Sequence, residues 1–176
     1  MSTTTKLAGK AAKLVIEPRI VALIVACLSA AALAGAYGSQ YLGGLAPCPL
    51  CLWQRPPYMI AGPLAVLAAI TPLARMRFVA LGLAVLAVGC GAGIAVFHVG
   101  VEQHWWGGLA GCSAPQGEAE EVAEIVKLLQ GGALGRCDEI AWTLFGLSMA
   151  AYNAVLATGL TLLGAIGVWR AGLRTR

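Results

Sequence analysis

Four long runs of the chain carry no Lys, Arg, Asp or Glu: residues 20–42, 56–74, 78–100 and 141–169. Crossing a bilayer core takes about 20 consecutive apolar residues in a helix. Each run is apolar on every face, whereas a helix at the surface of a soluble core keeps one polar side. The pattern predicts four membrane-spanning helices in a single domain over residues 1–176. The expected fold class is an all-α membrane protein, a four-transmembrane-helix bundle. Two loops join its spans on the outer side, about 43–55 and 101–140. The second loop contains Val122, Ile125, Val126 and Leu129 at i, i+3, i+4, i+7 spacing. That spacing predicts a short amphipathic helix lying at the membrane interface.

The first run also has features of a secretory signal. A basic stretch precedes it, and Ala32, Ala34 and Ala36 mimic a cleavage site. Its length favours a retained span. Gly89 and Gly93 form a small-xxx-small pair in the third run, which predicts close helix packing there.

Composition sharpens this picture. The chain is 59% hydrophobic and 11% charged, against about 25% charged in a typical soluble domain. Nine of its twelve basic residues lie before the first run, between the second and third, or after the fourth. Cytoplasmic segments carry such an excess, so both termini are expected in the cytoplasm. Seven of the eight acidic residues fall in 101–140, on the opposite side. The net charge of +4 thus reflects topology, and no nucleic-acid partner is expected.

The six cysteines divide by this topology. Cys27 and Cys90 lie inside runs, where a thiol packs as a small hydrophobe. Cys48 and Cys51 lie in the first outer loop, and Cys112 and Cys137 in the second. Three readings compete for these four. They are two structural staples, a zinc site, or a redox relay in which one pair exchanges with the other. A staple closing only a Cys-x-x-Cys ring gains little loop entropy. Zinc ligands usually pair locally, but 24 residues separate Cys112 from Cys137. His98, Glu102 and His104 have no recognisable ligand spacing, so no metal is expected.

Residues around the first pair favour the relay. Pro47 and Pro49 bracket Cys48 and keep a helix from absorbing it. Pro56 and Pro57 suit the first turn of a helix, which places Cys51 and Arg55 near its N-terminus. A helix N-terminus and a nearby Arg both lower a thiol's pKa. Trp105, Trp106 and Trp142 are expected as interfacial anchors.

The stretch PCPLCLWQR at 47–55, the four runs, the second cysteine pair and CDEIAWTLFGLSMAAYN at 137–153 together resemble the DsbB family of disulfide bond formation proteins. The resemblance covers about residues 20–168. It implies a bacterial inner-membrane, multi-pass thiol oxidase with both cysteine loops in the periplasm. Such an enzyme re-oxidises a periplasmic DsbA-like thioredoxin-fold oxidase and passes the electrons to ubiquinone or menaquinone in the membrane. On the same basis Cys112 forms the mixed disulfide with the partner, and Cys137 is its mate. Cys48 and Cys51 are re-oxidised by quinone, Cys51 being nearest the ring, and Arg55 and His98 line the quinone site. A vitamin K epoxide reductase-like relay and a stapled, non-catalytic scaffold are the competing readings.

Overall fold

The computed structural model describes residues 17–109, 112 and 135–173. The amphipathic helix expected within 118–132 lies outside the described residues, as do the last three residues and the first sixteen.

Helix α1 spans Pro18–Tyr41. Proline at its first position has a φ already suited to a helix. The chain leaves through Gly44 at φ 65°, a left-handed conformation that costs glycine nothing. A five-residue helix, α2, follows at Pro49–Trp53, and α3 at Arg55–Ile70. Pro72 then prevents continuation, because proline biases the preceding residue away from the helical region. Helix α4 runs from Ala74 to Glu102, and α5 from Met149 to Leu173.

Three of these helices, α1, α4 and α5, are long and apolar enough to cross a membrane. The second expected span is the exception. Its helix has 16 residues and is about 24 Å long at 1.5 Å per residue, short of a hydrocarbon core of roughly 30 Å.

The fourth expected span begins later than the hydropathy suggested. Residues 141–148 do not form helix. Thr143–Leu144 (β1) and Leu147–Ser148 (β2) pair antiparallel, joined by Phe145 at φ 50° and Gly146 at φ 77°. Two consecutive positive-φ residues define the tight two-residue turn that matches strand twist. Phe145 stands 91% exposed at its tip.

Helix α3 packs between α1 and α4, and α4 packs against α5. Their shared core is built from small residues: Ala61 and Ala65 of α3, Ala84 and Val88 of α4, Val21 and Val25 of α1, Ala157 of α5. Small side chains bring backbones close, which is how helices associate where the surroundings are as apolar as the interface. The tightest approaches are not at the expected glycine pair. A Cβ at Gly89 would make ordinary contact with Thr161 at 3.5 Å and one at Gly93 would meet nothing within 4 Å, whereas at Gly164 and Gly167 it would fall 2.4 Å from Val85 and 2.8 Å from Val21. The close contact is therefore made by α5. Leu86, Val155, Leu162 and Ile70 point outward. Apolar residues thus cover both the inside and the outside of the helices, as lipid requires.

Candidate functional site

A second apolar cluster lies at one end of the helices. It joins Cys48, Leu50, Val101, Cys112 and Cys137, with Cys51 and Phe97 against it. The four loop cysteines, expected as two separate pairs, therefore share one buried neighbourhood. All six cysteines of the chain are free thiols here.

Local geometry explains how the first pair is presented. Cys48 caps α2, its sulfur accepting the backbone N–H of Cys51 at 3.2 Å. Pro49 supplies the first helical position. One turn of helix then sets Cys51 Sγ 2.9 Å from Cys48 Sγ, with the Cys48 thiol donating. That hydrogen bond lowers the Cys51 pKa to about 7, with backbone hydrogen bonding and the Arg55 charge assisting against the opposing effect of burial. The same hydrogen bond, together with burial, raises Cys48. Of the two, Cys51 is the thiol that ionises first, near neutral pH, and Cys48 holds its proton more tightly.

The second pair reaches this place through a close crossing of loops. The N–H of Gly135 donates to Pro47 O at 3.3 Å. A Cβ on Gly135 would lie 2.6 Å from Ala46 O, so only glycine lets the strands meet there. Two residues on, Cys137 is 0% exposed. Its N–H donates to Cys112 O at 2.8 Å, and its side chain packs in the same buried cluster as Cys112 and Cys48. Burial, then the Cys112 thiol, push Cys137 up to about 12. Arg136 turns outward to grip Asp138 through two hydrogen bonds of 3.1 and 2.8 Å. That grip holds the Asp138 carboxyl below its ordinary range.

His98 and Arg55 stand beside the sulfurs. His98, on α4, places Nε2 3.5 Å from Cys48 Sγ and 3.9 Å from Glu102 Oε1. Glu102 in turn accepts from Ser148 Oγ. Arg55 opens α3 and lays its guanidinium over the Tyr37 ring, 4.7 Å from the centroid. Two adjoining cavities share Cys51, Arg55 and His98 in their walls. One, of about 280 Å³, adds Gln40, Glu102 and Trp142. The other, of about 220 Å³, adds Tyr58, Asn153 and Leu33. Arg55 Nε and Gln40 Oε1, both lining the larger cavity, are buried without a hydrogen-bond partner. Such atoms are uncommon, and each calls for a ligand or a cause.

Cys48, Cys51 and His98 also present donor atoms all within 4.8 Å of one another, a spacing compatible with a shared metal ion. His104 is not part of this group. It borders a separate hollow with Trp106 and Gly107.

Hydropathy and motif reading missed Gln40, Gln54, Tyr58, Ser148 and Asn153, and weighed Glu102 only as a metal ligand. The signal was available for Asn153 and Tyr58, polar groups inside apolar runs, which by default merit a functional question. Trp106, expected as an anchor, folds back over the end of α4. It stacks on Phe97 with ring centroids 5.8 Å apart and donates Nε1–H to Phe97 O at 3.0 Å.

Comparison with known proteins gives a single family. The family model described as "Disulfide bond formation protein DsbB" matches residues 18–167. A disulfide bond formation protein B from Methylobacillus flagellatus is 35% identical over 67% of this chain and 73% of its own length. One from Stutzerimonas stutzeri is 32% identical over 86% of this chain and 90% of its own length. One from Polaromonas is 30% identical over 87% and 92% respectively. No solved structure matches. With a family match over most of its length, helices fit to cross a bilayer and four loop thiols gathered at one end, the chain is a membrane protein of the DsbB family of disulfide bond formation proteins.

Proposed function

We propose that the protein is a quinone-linked protein-dithiol oxidase of the bacterial inner membrane, and that α3 completes a four-span bundle with both termini cytoplasmic. The periplasmic loops then carry the two sulfur couples. The observation that carries this reading is the meeting of Cys137 and Cys48 beside a cavity with two orphaned polar atoms.

The exchange balances as follows. A thiolate of a DsbA-like thioredoxin-fold partner attacks Cys112 of a Cys112–Cys137 disulfide. A mixed disulfide forms, and Cys137 leaves as thiolate. Cys137 attacks Cys48 of a Cys48–Cys51 disulfide, and Cys51 leaves. The partner's second thiol resolves the mixed disulfide and frees Cys112. Cys112 then attacks Cys137 and displaces Cys48. The partner ends oxidised, the 112–137 bond is restored, and the 48–51 pair holds two electrons.

Cys51 suits its place as leaving group. A thiol with pKa near 7 departs readily and remains a thiolate. The residues also fit a quinone. Arg55 Nε offers a donor to a carbonyl oxygen, and Gln40 Oε1 an acceptor for a hydroxyl. Ubiquinone or menaquinone bound there supplies a two-electron, two-proton acceptor. Arg55 and Gln40 would orient it, and His98 would line its other side.

The test uses purified protein, the reduced partner and quinone, with quinone absorbance followed over time. The expected result is quinol formation that requires all four loop cysteines. Quinol formation by the Cys51→Ala variant at the wild-type rate would overturn the reading.

A further inference from the structure

His98 does not stand alone. Tyr58 O–H donates to Asn153 Oδ1 at 2.6 Å. Asn153 Nδ2 donates to Gln54 Oε1. Gln54 Nε2 lies 2.9 Å from His98 Nδ1. His98 Nε2 lies 3.5 Å from Cys48 Sγ. The chain draws on α3, α5 and α4 and the residue between α2 and α3, and it ends at the reactive sulfur.

We infer that Tyr58, Asn153 and Gln54 are positioning residues that lock His98 in its neutral Nε2–H tautomer, making it a hydrogen-bond donor to Cys48 and denying a metal ion the nitrogen ligand of the Cys48–Cys51–His98 cluster.

The direction of the chain follows from what each group can do. A primary amide donates only through nitrogen and accepts only through oxygen. Once Asn153 donates to Gln54 Oε1, Gln54 can offer His98 only an N–H. Nδ1 must then accept, and the single proton of a neutral imidazole sits on Nε2. Running the chain backwards would turn both amides over and make Tyr58 accept. The phenol proton would then have no acceptor among the described residues, in a side chain only 4% exposed. Buried donors are rarely left so. The lock therefore has its anchor at the far end, in a hydroxyl that touches neither His98 nor sulfur.

Two consequences follow at Cys48. Its lone pairs receive N–H groups from Cys51 and His98, which steadies negative charge whenever Cys48 is displaced as thiolate. Arg55, Glu102, Cys51 and Cys137 are the other titratable groups around it. The second consequence is negative. Two thiolates and an imidazole at this spacing suit Zn²⁺, but zinc needs the Nε2 lone pair. Histidine ligands usually donate their other N–H to an acceptor. Gln54 is turned the opposite way.

The lock rests on geometry alone, and its value to exchange rests on the proposed function. Both measurements below are made without turnover, so either proposal can fail separately. Nitrogen-15 spectra of labelled histidine report the tautomer directly. The chain has two histidines, and His104→Gln assigns the signal. Wild-type protein should show His98 protonated on Nε2. Tyr58→Phe should release it into a mixture of tautomers, although the substituted atom touches neither ring nor sulfur. Gln54→Glu, whose carboxylate accepts from Nδ1–H, should move the proton to Nδ1. In the reduced protein, Zn²⁺ titrated against a chromophoric chelator at mildly alkaline pH should bind Gln54→Glu about 10–100-fold more tightly than wild type, the range for a second-shell hydrogen bond to a metal-bound histidine. Gln54→Leu should show no such gain. An Nδ1–H tautomer in the wild-type protein, no response to Tyr58→Phe, or equal zinc affinity in Gln54→Glu and wild type would overturn the inference.

Discussion

The two ends of α3 each bury an arginine, and the two are held in opposite ways. Arg77, 7% exposed, comes from the start of α4 to the C-terminal end of α3. Its Nε donates to Ala68 O at 3.3 Å and its NH2 group to Thr71 O at 2.6 Å. Those carbonyls are among the groups a helix end leaves unsatisfied, and a cation there also meets the negative end of the dipole. Arg55, 9% exposed, opens α3, where the dipole opposes a positive charge. It rests on an aromatic face with Nε unpartnered. A structural arginine is satisfied by the fold. On the proposed function, Arg55 is the one left incomplete for a ligand, beside Cys51 and the cavity.

Substitutions at the two ends should separate accordingly. The largest effect belongs to the sulfur end. Cys51→Ala should bring quinone reduction to background while reduced partner is still trapped on Cys112, seen as a mixed disulfide on a non-reducing gel. Next come the arginines. Arg55→Gln should raise the quinone KM by roughly tenfold to a hundredfold, the loss of a hydrogen bond to a charged group of about 1.5–3 kcal/mol, with the thermal midpoint nearly unchanged. Arg77→Ala should do the reverse, losing about 1.5–3 kcal/mol of stability with KM unchanged. If both variants shift the same quantity, the contrast fails.

Gly135→Ala should have a smaller effect. The added methyl pushes the second loop off Ala46, so exchange between Cys137 and Cys48 should slow, while partner attack on Cys112 stays near the wild-type rate. Stopped-flow measurement of the two phases would show it. The mildest test is titration. Cys51, lowered to about 7, should react with iodoacetamide at a rate that climbs as pH rises through 7 and levels above it. In Cys48→Ala the hydrogen bond that holds the thiolate is gone, so the midpoint should move upward.

Much of the scaffold was legible in residue pattern. Uncharged runs mark helices because every face must satisfy lipid, and the four long helices begin within one to eight residues of the starts of those runs. The hairpin at 143–148 was invisible for a physical reason. Its turn is Phe-Gly between leucines, as apolar as the helix that follows, and Phe145 adopts a positive φ that few bulky residues accept. The cysteines and Arg55 were legible because Cys-x-x-Cys before a helix has local chemical meaning. The polar chain from Tyr58 to His98 was not, since its members are as many as 99 residues apart. Only packing brings such groups together. The relay reading required the two pairs to meet, but the loop crossing that brings Cys137 toward Cys48 was hidden, because it depends on the bare Cα of Gly135.

The brevity of α3 has a consequence for the surrounding lipid. On the four-span reading, a helix of about 24 Å stands among neighbours of about 36 and 44 Å. Hydrophobic mismatch of that size thins or dimples the adjacent leaflet. The Cys51 end of α3 then sits at the floor of a depression and not on its rim. A long-tailed ring diffusing in the acyl layer meets the thiolate without climbing into the headgroups, and a helix lengthened by one turn would close that shallow port.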